Sequence, residues 1–278
     1  MISEISEGGV FMKTVLITGA SSGIGYELAK VYAGNNYNIV IVARRKERLE
    51  KLKKEIGSSI SDKISVTLIE KDLGAENASR ELFHYIKLEK IKIDTVINNA
   101  GFGIYGKFSD LTPEEIEKNN DLINLNIKAL TELTKLYLDE FLKEKKGEIL
   151  NVSSIAAFLP GPMMASYYAS KAYVLSFTEA IREEVRGTDI KIGTLCPGPT
   201  ATEFEKSSNA DKGGLFSSLK VMTAEKVAEI AYKDFSKGKN IIVPGFLNKM
   251  AVFMVRFLPR KLMTVISAKI QRKKVRLP

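Results

Sequence analysis

The sequence is poor in residues that several protein classes depend on: its 278 residues include one Cys, one His and no Trp. A single Cys cannot form an intrachain disulfide, which indicates a reducing compartment. One Cys and one His also exclude a zinc cluster built from these residues. The one histidine, His84, lies in a charged stretch with a helical pattern, where it serves neither a Ser-His-Asp triad nor a multi-histidine site. We therefore expect no metal centre.

Long apolar runs are also missing. No stretch reaches the ~18 uncharged residues that a membrane-spanning helix needs. Residues 1–11 have no basic region followed by an apolar core, so they do not resemble a signal peptide, and we predict a disordered extension there. These observations favour a cytoplasmic protein.

Acidic residues are absent from one end of the chain. The net charge is +9, and nine of the 42 basic residues lie from residue 241 onward, where there is no Asp or Glu. The 33 basic residues that remain balance the 33 acidic ones. A neutral body argues against a basic face for DNA, so we expect no nucleic-acid partner.

A glycine-rich turn near the start carries the first positive signal. Val15 to Ile17 has the apolar pattern of a buried parallel strand, and a helical pattern begins at Ile24. Gly19 would allow a tight turn, Gly23 would leave room for a pyrophosphate, and Gly25 would let the helix pack against the strand. The spacing G-x-x-x-G-x-G leaves open a purely structural turn. The candidate cofactor-binding residues here are Gly19, Ser21, Ser22, Gly23, Ile24 and Gly25.

Strand and helix patterns alternate along the chain. This alternation predicts an α/β fold, a doubly wound parallel sheet with helices on both faces. Each predicted strand ends in polar or glycine-rich residues, and chemistry in such sheets gathers beyond the carboxyl ends of the strands. Thr112, Pro113 and Glu115 predict a helix start with a capping box. We assign residues 12–246 to one domain and residues 247–278 to a basic, amphipathic helical tail.

Tyr167 and Lys171 lie one helical turn apart, on the same face. A free tyrosine has a pKa of ~10 and is a poor acid or base near neutrality, but a neighbouring ammonium lowers that pKa. Such a pair can exchange a proton with an alcohol or carbonyl oxygen. Tyr168 has no Lys four residues later, so Tyr167 is the candidate. Taken alone, the pair could also be two exposed helix residues.

Together these features resemble the short-chain dehydrogenase/reductase family in its single-domain form, over residues 13 to about 245. The matching pieces stand in the family's order. They are Thr18–Gly25, Asp72, Asn98–Gly101, Asn126, Ser154, Tyr167, Lys171 and Pro197–Gly198. The resemblance implies a Rossmann-type fold, a hydride transfer between a nicotinamide and a carbonyl or alcohol carbon, and a homodimer or homotetramer.

The resemblance also implies a role for each catalytic position. Tyr167 would be the general acid in reduction and the base in oxidation. Lys171 would lower its pKa and hold the nicotinamide ribose. Ser154 would hydrogen-bond the substrate oxygen, with Ser153 as the rival. Asn126 would hold a water that links Lys171 to solvent.

For the cofactor, the resemblance implies contacts along the whole edge of the sheet. Asp72 would bind the adenine amino group, and Asn98 would brace the sheet beside the cofactor. Thr200 and Thr202 would lie near the carboxamide. The further cofactor-binding positions are Leu73, Asn99, Ala100, Gly101, Pro197 and Gly198.

The end of the second predicted strand favours NADP(H) over NAD(H). No acid precedes Glu47, whereas an NAD enzyme would offer a carboxylate to the ribose diol. The guanidinium of Arg44 or Arg45 can instead pair with a 2′-phosphate. The alternative is a set of solvated basic residues that open a helix.

The segments beside the predicted chemistry are apolar. They are Phe102–Gly106, Ala156–Pro160, Met163–Met164, Phe204 and Leu215–Phe216. Clefts for small molecules are mostly apolar, so we predict an apolar ketone, aldehyde or secondary alcohol, such as a 3-oxoacyl or steroid-like compound. Alternatively, some of these residues pack only the core or a subunit contact.

The tail has two apolar-rich helical stretches, Leu247–Phe257 and Leu262–Ile270, separated at Pro259. A helix with an apolar stripe among basic residues can lie on an anionic membrane. The stripe could equally cover the substrate cleft or a partner subunit. Two other functions stay open: a non-catalytic NADP(H)-binding regulator on the same fold, and a membrane-surface, lipid-modifying reductase.

Overall fold

Seven parallel strands form one sheet in the computed structural model, which describes residues 12–60, 62–204 and 221–272. The seven strands of this sheet and two short strands outside it are, in chain order, β1 (Thr14–Thr18), β2 (Asn38–Ala43), β3 (Val66–Glu70), β4 (Thr95–Asn98), β5 (Lys146–Val152), β6 (Asp189–Leu195), β7 (Thr200–Ala201), β8 (Met222–Thr223) and β9 (Ile241–Ile242). Their order in the sheet is β3-β2-β1-β4-β5-β6-β9, and β7 pairs separately with β8. The direction of winding reverses between β1 and β4, which is where such sheets bind ligands.

Helices cover both faces of this sheet. They are α1 (Gly23–Gly34), α2 (Lys46–Ser59), α3 (Ala78–Leu88), α4 (Pro113–Ile123), α5 (Leu130–Glu144), α6 (Ala165–Glu184), α7 (Ala224–Ser236), α8 (Phe246–Val255) and α9 (Arg260–Arg272). A π-helical segment, Asn124–Ala129, joins α4 to α5, and short 3₁₀ turns occur at Phe108–Asp110 and Ile155–Phe158.

The core consists of two apolar layers, because alternate residues of each strand point to opposite faces. In β1, Val15 and Ile17 pack with α1, α2 and α7, whereas Leu16 packs with α3, α5 and α6. All five residues of β1 are buried. This arrangement confirms the predicted doubly wound, Rossmann-type α/β fold.

A local signal in the sequence predicted the start of α4 correctly. At the start of α4, the Glu115 backbone N–H donates to Thr112 Oγ1 (3.3 Å), and the Thr112 N–H donates to Glu115 Oε2 (3.0 Å). The predicted capping box is therefore present. The helical pattern of the sequence predicts a helix from Ala75 to Leu88, and the start of α3 differs from this prediction. The helix begins at Ala78, because Asn77 takes a left-handed φ of +58° that a helix cannot continue through.

The tail consists of α8 and α9, separated as predicted around Pro259. Within the described ranges, no helix has both the length and the apolar character needed to cross a membrane. The predicted extension at residues 1–11 lies outside the described residues, as do Leu215–Phe216 and residues 273–278. The domain limits at residues 12–246 and 247–278 stay predictions.

Candidate active site

The glycine turn joins β1 to α1 at the carboxyl edge of the sheet. Gly19 has a φ of +68°, in the left-handed region that favours glycine. A Cβ on Gly25 would lie 2.6 Å from the Gly19 carbonyl oxygen, so a larger residue would push the start of α1 away. Asn99, which follows β4, holds the turn from the other side. Its Nδ2 donates to the carbonyl oxygens of Thr18 (2.9 Å) and Gly19 (3.2 Å).

The first turn of α1 opens onto a cleft of about 470 Å³. Ser22 stands at the N-cap, and no side chain in the described part of the protein caps this helix end. Its N–H groups and the positive end of its dipole can therefore bind an anion. Gly23 has a φ of +60° and lies against Thr202, whose Cγ2 would be 3.0 Å from an added Cβ. These features fit the phosphates of a dinucleotide.

The cleft brings together nearly all the candidate residues, which gather at the ends of six different strands, β1 to β6. They are Gly19, Ser21, Ser22, Gly23, Ile24, Arg44, Arg45, Asp72, Leu73, Asn99, Ala100, Gly101, Ser154, Tyr167, Lys171, Pro197, Gly198, Thr200 and Thr202. Two other candidates, Gly25 and Asn126, lie behind its wall. Gly25 packs under the glycine turn, and Asn126 packs behind Gly101.

Ser154, Tyr167 and Lys171 meet at one point of this cleft. The Ser154 hydroxyl is hydrogen-bonded to the Tyr167 side chain. Lys171 is one turn further along α6, and its Nζ lies 5.8 Å from the centre of the Tyr167 ring. The same Nζ donates to the Val152 carbonyl oxygen at 3.0 Å. A hydroxyl, a phenol and an ammonium are thus gathered where β5 ends.

Burial dominates the acid–base properties of this group. It raises the pKa of Tyr167 well above its ordinary value, and the hydrogen bond from Ser154 lowers it only in part. Burial also lowers the pKa of Lys171 to about 8. We expected Lys171 to lower the pKa of Tyr167. The pKa of Tyr167 is raised instead, because desolvation dominates it, and the Lys171 ammonium is directed at the Val152 carbonyl.

The two adjacent serines have different surroundings. Ser153 is buried, and its Oγ donates to the Lys171 carbonyl oxygen at 2.7 Å. Ser154 faces the cleft, and its Oγ accepts a hydrogen bond from the Ala156 N–H at 3.1 Å. Ser153 therefore anchors α6 to the strand, while the Ser154 hydroxyl lies in the cleft and donates to the Pro197 carbonyl oxygen at 3.4 Å.

Asn126 lies in the π-helical segment and is almost completely buried. Its Oδ1 accepts from the Phe102 N–H (3.1 Å), and its Nδ2 donates to the Phe102 carbonyl oxygen (2.9 Å) and to Ser170 Oγ (3.1 Å). The side chain therefore fixes the loop after β4 against α6. π-helical turns often occur at functional sites, which fits this position.

Asn98 belongs to a row of buried polar side chains below the cleft. Its Nδ2 donates to Asn151 Oδ1 (2.9 Å) and Thr134 Oγ1 (3.1 Å), and Asn151 donates onward to Thr178 (3.0 Å). This row ties β4, β5, α5 and α6 together, which is the bracing position that the resemblance implies.

The far end of the cleft is basic. Arg45 directs its guanidinium at Ser21 and Ser22 in the glycine turn, with Nη2–Oγ distances of 3.0 and 2.9 Å. It also pairs with Glu203 at 2.8 Å. Arg44 is more exposed, with Nη1 at 3.7 Å from Asp72 Oδ2. Glu203 is a residue that the sequence did not indicate for this site.

The other end of the cleft is apolar. Of the predicted segments, Phe102, Tyr105, Ala156, Met164 and Phe204 line it. The Phe204 ring lies against the Tyr167 ring, with centroids 5.2 Å apart. The hydroxyls of Ser154 and Tyr167 thus stand at the edge of an apolar surface.

The sequence also missed a contact between the tail and the cleft. Gln271, near the end of α9, donates from Nε2 to the Tyr168 hydroxyl at 2.8 Å. Tyr105 donates its hydroxyl proton to the Gln271 carbonyl oxygen at 3.0 Å. All three line the cleft. Tyr168, which the sequence did not favour because it has no Lys four residues later, therefore holds the tail over the cleft.

The family model for short chain dehydrogenases matches residues 13–213. The dehydrogenase/reductase SDR family member 7B of Rattus norvegicus is 27% identical over 273 residues, which cover 94% of this chain and 82% of that protein. The 11-beta-hydroxysteroid dehydrogenase 1A of Arabidopsis thaliana is 34% identical over 207 residues, 73% of this chain and 57% of that protein. The chain thus matches only part of the length of these relatives.

Among solved structures, a short-chain dehydrogenase from Sphingobium yanoikuyae in complex with NADPH superposes with a TM-score of 0.77 at 29% identity. The match covers 88% of this chain and 94% of that one.

Proposed function

This chain belongs to the short-chain dehydrogenase/reductase family, and on that premise we propose that it is an NADP(H)-dependent reductase of apolar ketones or aldehydes, or a dehydrogenase of the corresponding secondary alcohols. It is an oxidoreductase that acts on CH–OH or C=O groups with a nicotinamide cofactor. One observation supports the proposal most: Ser154, Tyr167 and Lys171 converge in the cleft onto which the N-terminus of α1 opens.

We assign a step to each of these residues. NADP(H) supplies or accepts the hydride at its nicotinamide ring. Ser154 donates a hydrogen bond to the substrate oxygen, and Tyr167 donates a proton to it in reduction. The raised pKa of Tyr167 keeps the phenol protonated near neutral pH, as a general acid requires. Lys171 holds the cofactor ribose, and Asn126 links Lys171 to solvent through a water.

We propose NADP(H) rather than NAD(H), because the adenosine end of the cleft is basic. Arg44 and Arg45 follow β2 at the position where an acid would favour NAD(H). Arg45 already donates to the hydroxyls of Ser21 and Ser22. The similar Sphingobium enzyme, which was solved with NADPH, supports the same choice.

We propose an apolar substrate, such as a 3-oxoacyl or steroid-like carbonyl, from the side chains around Tyr167. Phe102, Met164 and Phe204 offer contact area but no charge. The similarity to a hydroxysteroid dehydrogenase points the same way.

Tyr167→Phe separates the enzyme from a cofactor-binding regulator. We expect at least a 100-fold loss of NADPH-dependent turnover with NADPH affinity within about threefold of wild type, because only the transferable proton is removed. Tyr85→Phe, an exposed tyrosine on α3, is the matched control. Panels of ketones and aldehydes, followed by NADPH absorbance, measure the turnover of both variants, and titration with NADPH measures their affinity. Turnover by the Tyr167→Phe protein equal to that of wild type would exclude proton donation by Tyr167.

We also propose that the outer face of the tail contacts an anionic membrane surface. Its apolar residues are exposed: Phe246, Leu247, Met250, Phe253, Met254, Phe257, Leu262, Val265 and Ile270. Lys249, Arg256, Arg260, Lys261 and Lys269 surround them, with no acid in this part of the sequence. This combination is typical of helices that lie in a lipid interface.

Sedimentation with phosphatidylserine vesicles tests this contact. We expect salt-sensitive pelleting that Phe253→Glu reduces and that Tyr85→Ser, a control on the body, leaves unchanged. Binding to neutral vesicles alone, or no pelleting, would contradict it.

For assembly, we propose a homodimer or homotetramer through α6, where the 38% exposed Tyr173 stacks on Phe177. Light scattering of Tyr173→Glu should then give a smaller species. An unchanged mass would contradict this interface.

A further inference from the structure

The carboxylate of Glu203 bridges two arginines beside the glycine turn. Its Oε2 lies 2.8 Å from Arg45 Nη1, and its Oε1 lies 2.9 Å from Arg48 Nη2. Arg45 stands at the N-cap of α2 and Arg48 in its first turn, so the two guanidinium groups approach one anion from one helix end. The hydrogen bond from Arg45, with the charges of both arginines, lowers the pKa of Glu203 below its ordinary value, and the group is anionic near neutral pH.

This ion-pair cluster lies inside the cofactor cleft and not on a remote surface. Arg45 and Glu203 line the cleft together with Ser21 and Ser22, whose hydroxyls accept from the same guanidinium. The residue before Glu203, Thr202, packs against Gly23 of the glycine turn. Because Glu203 contacts Arg45, which follows β2, its carboxylate reaches the end of the cleft that we assign to the adenosine of NADP(H).

We propose that Arg45 and Arg48 form a clamp for the ribose 2′-phosphate, and that Glu203 is an internal competitor that the phosphate displaces. This inference rests on the proposed use of NADP(H). Each guanidinium can bind a carboxylate or a phosphate in the same fork geometry, so the two anions exclude each other from one clamp. A phosphate carries more negative charge than the carboxylate and gains more from the two arginines. Glu203 thereby sets the cofactor affinity, and Arg48 becomes a specificity residue.

The size of the effect follows from exposure. Arg45, Arg48 and Glu203 have side chains between 41% and 49% exposed. Exposed ion pairs contribute little each, so removing the competitor should tighten binding of the phosphate about 3- to 10-fold. A ligand without a 2′-phosphate does not compete with Glu203, and its affinity should change little.

Adenosine 2′,5′-bisphosphate and adenosine 5′-monophosphate form the matched pair of probes, because they differ only in the 2′-phosphate and need no turnover. Isothermal titration would compare wild type, Glu203→Gln, Arg48→Gln and the control Glu229→Gln, whose carboxylate pairs with Lys226 away from the cleft. We expect Glu203→Gln to tighten the bisphosphate about 3- to 10-fold and Arg48→Gln to weaken it to a similar extent. The monophosphate should stay within about twofold, and the control should match wild type for both ligands.

The other outcomes are informative in different ways. Weaker binding of the bisphosphate by Glu203→Gln would mean that Glu203 positions the arginines, and it would overturn the proposed displacement of Glu203 by the phosphate. An equal gain in affinity for both ligands would mean that Glu203→Gln acts through the overall charge of the cleft and not through the 2′-phosphate, and it would overturn the proposal as well. If wild type prefers the bisphosphate but Glu203→Gln changes nothing, only this inference fails. If wild type binds both ligands equally, the proposed NADP(H) preference itself fails.

Discussion

Lys171 offers a test of the active-site electrostatics that needs no substrate. It is 5% exposed, its Nζ donates to the Val152 carbonyl oxygen at 3.0 Å, and burial lowers its pKa to about 8. We expect this shift to make the stability of the protein depend on pH. The perturbation is Lys171→Met, which keeps the length of the side chain and removes the titrating group.

The sign and the size follow from proton binding. Below pH 8 the lysine is protonated in the folded and the unfolded chain, so its contribution is constant. Between the folded pKa of about 8 and the ordinary lysine value of 10.5, the unfolded chain binds the proton and the folded chain does not, so the free energy of unfolding rises with pH. At ~1.4 kcal/mol for each pKa unit, the full rise is on the order of 3 kcal/mol.

Urea unfolding of the cofactor-free protein at pH 7.5 to 10 would measure this rise. The free energy of unfolding of wild type relative to Lys171→Met should increase by about 2–3 kcal/mol across this range, because the titrating groups that do not interact with Lys171 cancel in the difference. Lys191→Met, at an exposed lysine paired with Glu148, controls for the loss of a lysine from the surface. A wild-type advantage that stays constant to within about 0.5 kcal/mol would refute the assignment of a desolvated, depressed Lys171.

Three further predictions concern the turn, the cofactor and the tail. Gly25→Ala should lower the free energy of unfolding by about 1–3 kcal/mol, because its Cβ would lie 2.6 Å from the Gly19 carbonyl oxygen. The control is Gly57→Ala, which has open space around it in α2 and should be neutral or stabilising by ~0.5–1 kcal/mol. Equal melting temperatures of the two variants would contradict this reasoning. Arg44→Asp should shift the ratio of NADPH to NADH affinity by about tenfold towards NADH, measured by fluorescence titration, and an unchanged ratio would argue against a cofactor contact at Arg44. Gln271→Ala should raise KM with little change in kcat, because it frees the end of α9 from Tyr168 without touching the reacting groups; the exposed Lys269→Ala is its control, and a fall in kcat alone would contradict a role in covering the cleft.

The fold was predictable because its signals are local. Each buried strand is a short apolar run, and the glycine turn requires both a left-handed residue at position 19 and a close approach at position 25. Helix limits were less predictable where a single backbone conformation decides them. Asn77 delays α3 by three residues: asparagine adopts a left-handed φ more readily than most other residues, but most asparagines do not, so its presence did not fix the helix start.

The missing parts of the site depend on contacts between distant parts of the chain. Arg45 and Glu203 are 158 residues apart, and Tyr168 and Gln271 are 103 residues apart. Neither pair has a periodic or motif signal. The pKa of Tyr167 was misjudged for a related reason: the i, i+4 spacing shows that Lys171 is near, but it shows neither the desolvation of the phenol nor the Val152 carbonyl to which the lysine turns.

The orientation of α9 bears on what the tail does. An amphipathic helix that only covers a protein body turns its apolar side inward. Here Ser267 and Gln271 are each 3% exposed, whereas Leu262, Val265 and Ile270 are 45–49% exposed. Two polar residues of α9 thus face the body, where Gln271 is hydrogen-bonded to Tyr168, and Met263 and Ile266 are half-buried. The other three large apolar residues of the helix are left exposed beside its basic residues. Because exposed apolar surface is unfavourable in water, this arrangement favours a second apolar surface outside the protein, and the absence of acidic residues from this part of the sequence favours an anionic one.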